Sequence, residues 1–278
     1  MNQHESEVER GERFEFGKNW ANFLKLLDDR RIRRAEESLL AMLELPDLQG
    51  KSFLDIGSGS GLFSLAARRL GAKVHSLDYD PQSVACTRHL KDTYFANDPD
   101  WKVEEGSVLD EVYIRSLGQF DIVYSWGVLH HTGNMWQAIG NAAIPVKDRG
   151  LLYIAIYNDE GSKSLLWKSL KKTYNRLPRP FRAIFGTMVM GLWEFRALLV
   201  ATVKLNPLEY LYSWTRYPET SLRGMSKWYD IVDWIGGYPF EVARPEQIHD
   251  FLRERNFMLS RFRTTRGLGC NEFVFINL

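Results

Sequence analysis

The sequence predicts a mostly parallel, doubly wound α/β sheet of seven strands, with a helical insertion rich in aromatic and basic residues after the fifth strand. Three observations carry this expectation. From Lys51 to Tyr157, short apolar runs alternate with segments of helical spacing, the rhythm of strands joined by crossover helices. The first run leads into a loop with glycines at every second position, Gly57, Gly59 and Gly61. After Tyr157 the alternation stops, and it resumes only at Pro245.

Taken in order, Phe14 to Leu45 reads as a helical lead-in, with Phe23, Leu26, Leu27, Leu39, Leu40 and Leu43 at helical spacing and Pro46 as a stop. Strands are expected at Lys51–Ile56, Ala72–Asp78, Trp101–Glu105, Gln119–Ser125 and Gly150–Tyr157. Helices follow the glycine loop, start at Pro81, and run from Asn134 to Val146. A helix from Pro245 to Arg255 and strands at Phe257–Arg263 and Glu272–Asn277 complete the pattern. The domain reading is therefore a lead-in or cap over 1–48, a sheet domain over 49–160 and 244–278, and an inserted substrate or lid region over 161–243.

Composition narrows the class. The chain has 278 residues, enough for a sizeable core; it is 45% hydrophobic and 26% charged, with a net charge of +1, which gives no general argument for a nucleic-acid partner. Cys86 and Cys270 make neither a disulfide framework nor a zinc site, and no metal is expected. Met1–Arg10 is polar and charged rather than signal-like, so a cytoplasmic location is the expectation. The longest apolar stretch, Ala183–Val203, carries Glu194 and Arg196 in its middle; this argues against a spanning helix and leaves room for an amphipathic surface helix.

The chemistry centres on Phe53-Leu54-Asp55-Ile56-Gly57-Ser58-Gly59-Ser60-Gly61. A strand ends in an acid and a glycine loop at the carboxyl edge of the sheet, where open α/β folds bind ligands. Asp78 ends the second strand, where an acid can accept hydrogen bonds from both hydroxyls of a ribose. The dinucleotide fingerprint G-x-G-x-x-G does not fit, because Leu62 stands where its third glycine would be. Asp55 would also repel a pyrophosphate, whereas it suits an ammonium group.

This segment resembles the first motif of class I, Rossmann-like S-adenosylmethionine-dependent methyltransferases, D/E-x-G-x-G-x-G, and Asp78 matches that family's ribose-binding acid. The resemblance implies S-adenosylmethionine as cofactor and S-adenosylhomocysteine as product. It implies cofactor contacts from Asp55, Gly57, Ser58, Gly59, Gly61, Asp78 and Tyr79, from Ser107 and Val108 after the third strand near the adenine, and from Ser125 and Trp126 at the end of the fourth. Val128-Leu129-His130-His131 resembles the V-L-x-H step of small-molecule methyltransferases, including the ubiquinone-biosynthesis O-methyltransferases, over residues 50–157. His131 then takes the family's histidine position and His130 that of a common glutamate. A histidine titrates close enough to neutrality to accept a hydroxyl proton, so His131 is the candidate base and His130 the second catalytic candidate; helix capping or pocket shaping is the alternative role. The Asp/Asn-Pro-Pro-aromatic run of base amino-methylating relatives is absent, since Ser125-Trp126-Gly127-Val128 stands there. Neither Cys86, expected mid-helix, nor Cys270, expected in a terminal turn, is placed as a nucleophile.

From Lys163 to Lys204 nine basic residues face one acid, Glu194, and five of the nine tryptophans lie between Trp167 and Trp234. A lid over an apolar or anionic acceptor, a membrane-surface helix and an oligomer interface all fit. Further substrate candidates are Lys18 and Trp20 near the N-terminus, and Trp228, Tyr229, Asp233, Tyr238 and Glu241 in a turn-rich aromatic stretch. The leading reading is methyl transfer to a small-molecule or lipid-like acceptor, oxygen before nitrogen, with no DNA partner. A peptide or RNA methyltransferase, and a non-catalytic cofactor-binding protein that docks a membrane or partner, are the alternatives.

Overall fold

The structure is a computed structural model that describes residues 3–204, 206–215, 234–265 and 267–278. Three helices, α1 (Gln3–Glu9), α2 (Phe16–Leu24) and α3 (Asp29–Leu43), precede the first strand. Asp28 caps α3 by accepting from the Arg31 amide, and the helix closes on Glu44 in the left-handed conformation, just before Pro46. The alternating core follows as β1 (Ser52–Ile56), α4 (Leu62–Arg69), β2 (Lys73–Asp78), α5 (Pro81–Tyr94), β3 (Trp101–Glu105), α6 (Glu111–Ser116), β4 (Phe120–Trp126), a single 3-10 turn at Leu129–His131, α7 (Met135–Ala143) and β5 (Val146–Tyr157). After α8 (Ser162–Arg176), α9 (Arg179–Val203) and α10 (Pro207–Thr215), the sheet resumes with α11 (Pro245–Arg253), β6 (Phe257–Arg263) and β7 (Cys270–Asn277).

The seven strands lie in the order β3-β2-β1-β4-β5-β7-β6. The first five are parallel, and β7 runs antiparallel between β5 and β6. The chain leaves β1 for β2 on one side and crosses to β4 on the other, so the crevice at the carboxyl ends of β1 and β4 is the topological switch point where such sheets bind ligands. Phe53, Leu54, Val123, Leu152, Ile154 and Phe275 are fully buried in the sheet's core, as expected for strands covered on both faces.

The largest boundary differences from the sequence reading lie around β5 and β7. The helix before β5 ends at Ala143, and β5 begins at Val146 rather than Gly150. Phe120 pairs with Val146 but Ile122 with Leu151, so the polar residues Lys147–Arg149 form a bulge inside the strand, with Arg149 at φ 61°. Cys270 opens β7 instead of sitting in a turn, because its segment pairs with Tyr157 at the end of β5.

The chain packs as two compact units. One comprises Glu15–Leu166 and Pro239–Leu278 and contains the whole sheet; the other holds the described residues of Met1–Phe14 and Trp167–Tyr238. The second unit has a polar interior of its own. Trp167 packs edge-on against Trp193 and Trp234, at 5.7 and 5.4 Å between ring centroids. Lys171 is buried beneath Trp234, 4.3 Å from its ring, and donates to the Trp234 carbonyl. Asn175 donates to the Gly236 carbonyl at 2.7 Å, and Arg182 donates to the carbonyls of Leu177 and Asn175. Within that unit α10 packs against α9. By length and composition the α9 segment Pro180–Val203 is also long and apolar enough to cross a bilayer, and little of it is buried.

Candidate functional site

The glycine loop connects β1 to α4 at the switch point. Gly57 and Gly61 hold φ of 78° and 81°, a region where a side chain is strained. A Cβ on Gly57 would fall 2.4 Å from Val128 Cγ1, and one on Gly61 would fall 2.8 Å from Thr87 Cα. Helix α2 also reaches the loop: the Trp20 indole lies against Gly59, and the Gly17 amide donates to Asp80 at 2.8 Å. The small residues therefore fit the loop between Val128, Trp20 and α5.

Asp55 ends a directed chain of donors. The Trp101 indole can only donate, and it does so to Ser76 Oγ at 2.9 Å. Ser76 must then give its own hydrogen to Ser64 at 2.7 Å, and Ser64 donates to Asp55 Oδ2 at 2.5 Å. Even so, burial pushes the Asp55 carboxyl up to about 7, against the lowering effect of Ser64, and the neighbouring charge of Asp78 raises it further. Asp78 accepts from the amides of Gly59 at 2.8 Å and Asp80 at 2.9 Å, and burial raises its carboxyl as well.

Two raised acids at one crevice suit a ligand that brings a cation and hydroxyl donors, and they disfavour a pyrophosphate. The donor set thus fits S-adenosylmethionine, whose ammonium and ribose hydroxyls are what Asp55 and Asp78 would hold. The sign of the pH dependence follows. Burial raises both free acids to about 7, and such a ligand favours their ionised form, so binding below that pH releases up to one proton from each. Affinity should rise by at least about tenfold from pH 5.5 to pH 7, with roughly that factor for each acid that ionises, measured by calorimetry in buffers of different ionisation enthalpy. A flat profile would mean the carboxylates do not face the ligand.

Beside the loop, an aromatic cluster surrounds the two histidines. His131 lies 5.0 Å from Phe16 and 5.4 Å from Tyr157; His130 lies 4.0 Å from Tyr157, which in turn is 5.3 Å from Phe240. Hydrogen bonds assign opposite tautomers. His131 Nδ1 is 2.6 Å from the Pro239 carbonyl, which can only accept, so Nδ1 carries the proton and Nε2 the lone pair. His130 Nδ1 accepts the Tyr157 amide at 3.3 Å, so its proton resides on Nε2, and the ring is fully buried.

Other candidates have local partners. Ser58 shares a hydrogen bond with Thr87, Ser107 accepts from the Leu109 amide, and Ser125 donates to the Ile56 carbonyl. Val108 is in the core, its carbonyl taken by Asn141; Tyr79 and Trp126 are half-buried at their strand ends. The Ser107 carbonyl is also taken, by the Asp110 amide, whereas Ser107 Oγ, accepting from Leu109, still has a hydrogen to donate. Lys18 is exposed and pairs with Glu15, while Trp20 lies on the loop. Glu241 binds the His130 carbonyl through its amide and caps α7 by accepting from the Met135 amide. Tyr238 belongs to the other unit, where its carbonyl accepts from Phe14. Trp228, Tyr229 and Asp233 lie outside the described residues. The sequence marks the segments Phe16–Trp20 and Asp233–Glu241 as candidates to shape the site, which takes in Phe16, Pro239 and Phe240 without a role for each, and it does not mark Tyr157. Tyr157 had a signal, since it ends a strand at the ligand-binding edge.

Comparison with known proteins decides the family. Residues 27–185, more than half the chain, match the family profile described as a methyltransferase domain. The chain belongs to this methyltransferase family. Its sheet, mostly parallel with one antiparallel strand inserted at β7, is the class I, Rossmann-like form. A ubiquinone biosynthesis O-methyltransferase of Xanthomonas oryzae is 30% identical over 185 residues, covering 65% of this chain and 66% of that protein. A ribosomal protein L11 methyltransferase of Methylococcus capsulatus is 53% identical over 49 residues, 17% of either protein. The methyltransferase chain therefore spans less than two thirds of the length of these curated relatives. Among solved structures, the magnesium protoporphyrin IX methyltransferase of Synechocystis, crystallised with S-adenosylhomocysteine, superposes with a TM-score of 0.55 at 15% identity, covering 94% of both chains. That likeness is one of fold.

Proposed function

We propose that this methyltransferase transfers the methyl group of S-adenosylmethionine to a hydroxyl of a small or lipid-like acceptor, with His131 as general base. The observation that carries the reading is the His131 tautomer: Nδ1 gives its hydrogen to the Pro239 carbonyl, which makes Nε2 the basic nitrogen of the ring. When bound, S-adenosylmethionine supplies an activated methyl on a sulfonium, so the protein's tasks are alignment and removal of the acceptor's proton. Asp55 and Asp78 hold the cofactor's polar ends. Phe16 and Tyr157, with Phe240 buried against Tyr157, exclude water, and the two half-buried rings stack with a planar or apolar acceptor. His131 Nε2 takes the hydroxyl proton as the oxygen attacks, and the Pro239 carbonyl steadies the imidazolium that forms.

The O-methyltransferase named among the relatives supports oxygen as the target. The short ribosomal-protein match spans too little of the chain to favour a peptide acceptor. Incubation with methyl-labelled S-adenosylmethionine and fractionated cell extract should place label in a solvent-extractable small molecule. Label in protein or RNA instead would refute the acceptor class, and no transfer from any fraction would support a non-catalytic binding role.

A further inference from the structure

One face of α9 presents an uninterrupted apolar stripe to the outside. Phe181, Ile184, Met188, Leu192, Phe195, Leu199 and Val203 follow one another at steps of three and four residues, the spacing of a single helical face. All seven are exposed, from 49% at Leu199 to 82% at Val203. The other side is tied to protein at three points: Ala201 is buried, Glu194 accepts from the Trp214 indole at 3.0 Å, and Trp193, itself half-exposed, packs against Trp167. Leaving seven large apolar side chains in water on one helix is costly, and such a patch marks an interaction site.

Charge selects the partner. From Trp167 to Lys204 the exposed charged residues with described side chains are all basic: Lys168, Lys172 and Arg176 on α8, then Arg196 and Lys204. Arg196 adjoins Leu192 and Leu199 at i+4 and i−3, so its stem can lie on the stripe while its charge reaches outward. Glu194, the single acid of this segment, is half-buried in its bond to Trp214. Trp193, Tyr212 and Trp214 add exposed aromatic rings of the kind that settle at the headgroup level. An apolar stripe, basic residues and amphipathic aromatics together match an anionic lipid surface. Because Ala201, Glu194 and Trp193 tie α9 to its own unit and Glu194 and Arg196 stand in its middle, the helix suits lying in the plane of the interface rather than crossing the bilayer.

We propose that this unit docks on anionic membrane surfaces, with the Phe181–Val203 stripe inserted among the acyl chains and the α8 and α9 basic residues against the headgroups. The docking is independent of methyl transfer and is tested without cofactor. In vesicle sedimentation, the full chain should bind phosphatidylcholine vesicles containing phosphatidylglycerol and bind phosphatidylcholine alone at least tenfold more weakly. Leu192→Glu with Phe195→Glu should reduce binding more than tenfold on both, with an unchanged melting temperature. Lys168→Glu with Lys172→Glu should reduce it only on the anionic vesicles, by at least the roughly fivefold that each surface cation contributes. No sedimentation, equal binding to both vesicles, or an unaffected Leu192/Phe195 variant would overturn the proposal. Failure to sediment, joined to a concentration-dependent dimer that the same variant dissociates, would assign the stripe to contact between copies of the chain.

Discussion

His131→Ala should lower kcat by about 10²–10⁴, the usual value of a positioned proton acceptor, with little change in affinity for S-adenosylmethionine. A phenol-like hydroxyl has a pKa near 10, so at neutral pH only about one molecule in a thousand is already ionised. The loss should therefore shrink as pH rises and solvent supplies the ionised acceptor. The alanine variant also removes a ring packed against Phe16 and Tyr157 and a hydrogen bond to Pro239, so packing must be separated from proton transfer. His131→Gln does this, because its amide can still donate to the Pro239 carbonyl but cannot accept a proton near neutrality. Equal loss and equal rescue in both variants identify the base. A glutamine variant near wild-type turnover at pH 7 would leave His131 a positioning residue. His130→Ala should instead lower stability without pH rescue, since that ring is buried and its Nδ1 receives the Tyr157 amide.

What could be read from the sequence follows how local each feature is. The loop glycines, Asp55 and Asp78 are legible because strand, loop and helix fix their relation over a short stretch of chain. The seven-strand sheet is legible for the same reason, through the period of its apolar runs. The bulge at Lys147–Arg149 is not, since polar residues before a glycine read as a turn until their pairing with β4 is known. The pairing of His131 with its partners also lay beyond reach: Phe16 and Pro239 fall in segments marked for their turns and aromatics, but they stand more than one hundred residues away in either direction, and no spacing rule joins them to the histidine. Glu241 drew notice as a substrate candidate, yet it reaches across the same distance to cap α7, a bond that no spacing rule announces. On α9 the difficulty is different. The helix is apolar nearly all round, so composition marks a helix without saying which stripe the protein covers.

The central claim is that the Gly57–Gly61 loop and the acids beside it hold S-adenosylmethionine, and Asp78 is where it is most exposed to test. Its carboxylate accepts from the Gly59 and Asp80 amides, so it shapes the loop, and on the proposed reading its remaining lone pairs would accept from a ribose. Asp78→Ala should weaken binding by about 1.5–3 kcal/mol, the range for lost hydrogen bonds to a charged group. Asp78→Asn, which keeps one acceptor oxygen for the loop, should lose less. The direct measurement is calorimetric titration of the wild-type protein and both variants with S-adenosylmethionine, beside NAD as the competing nucleotide class. The expected result is one site for S-adenosylmethionine on the wild type, the graded loss in the variants, and no heat from NAD. Saturable NAD binding in its place, or an Asp78→Ala variant that binds S-adenosylmethionine as the wild type does, would contradict the account.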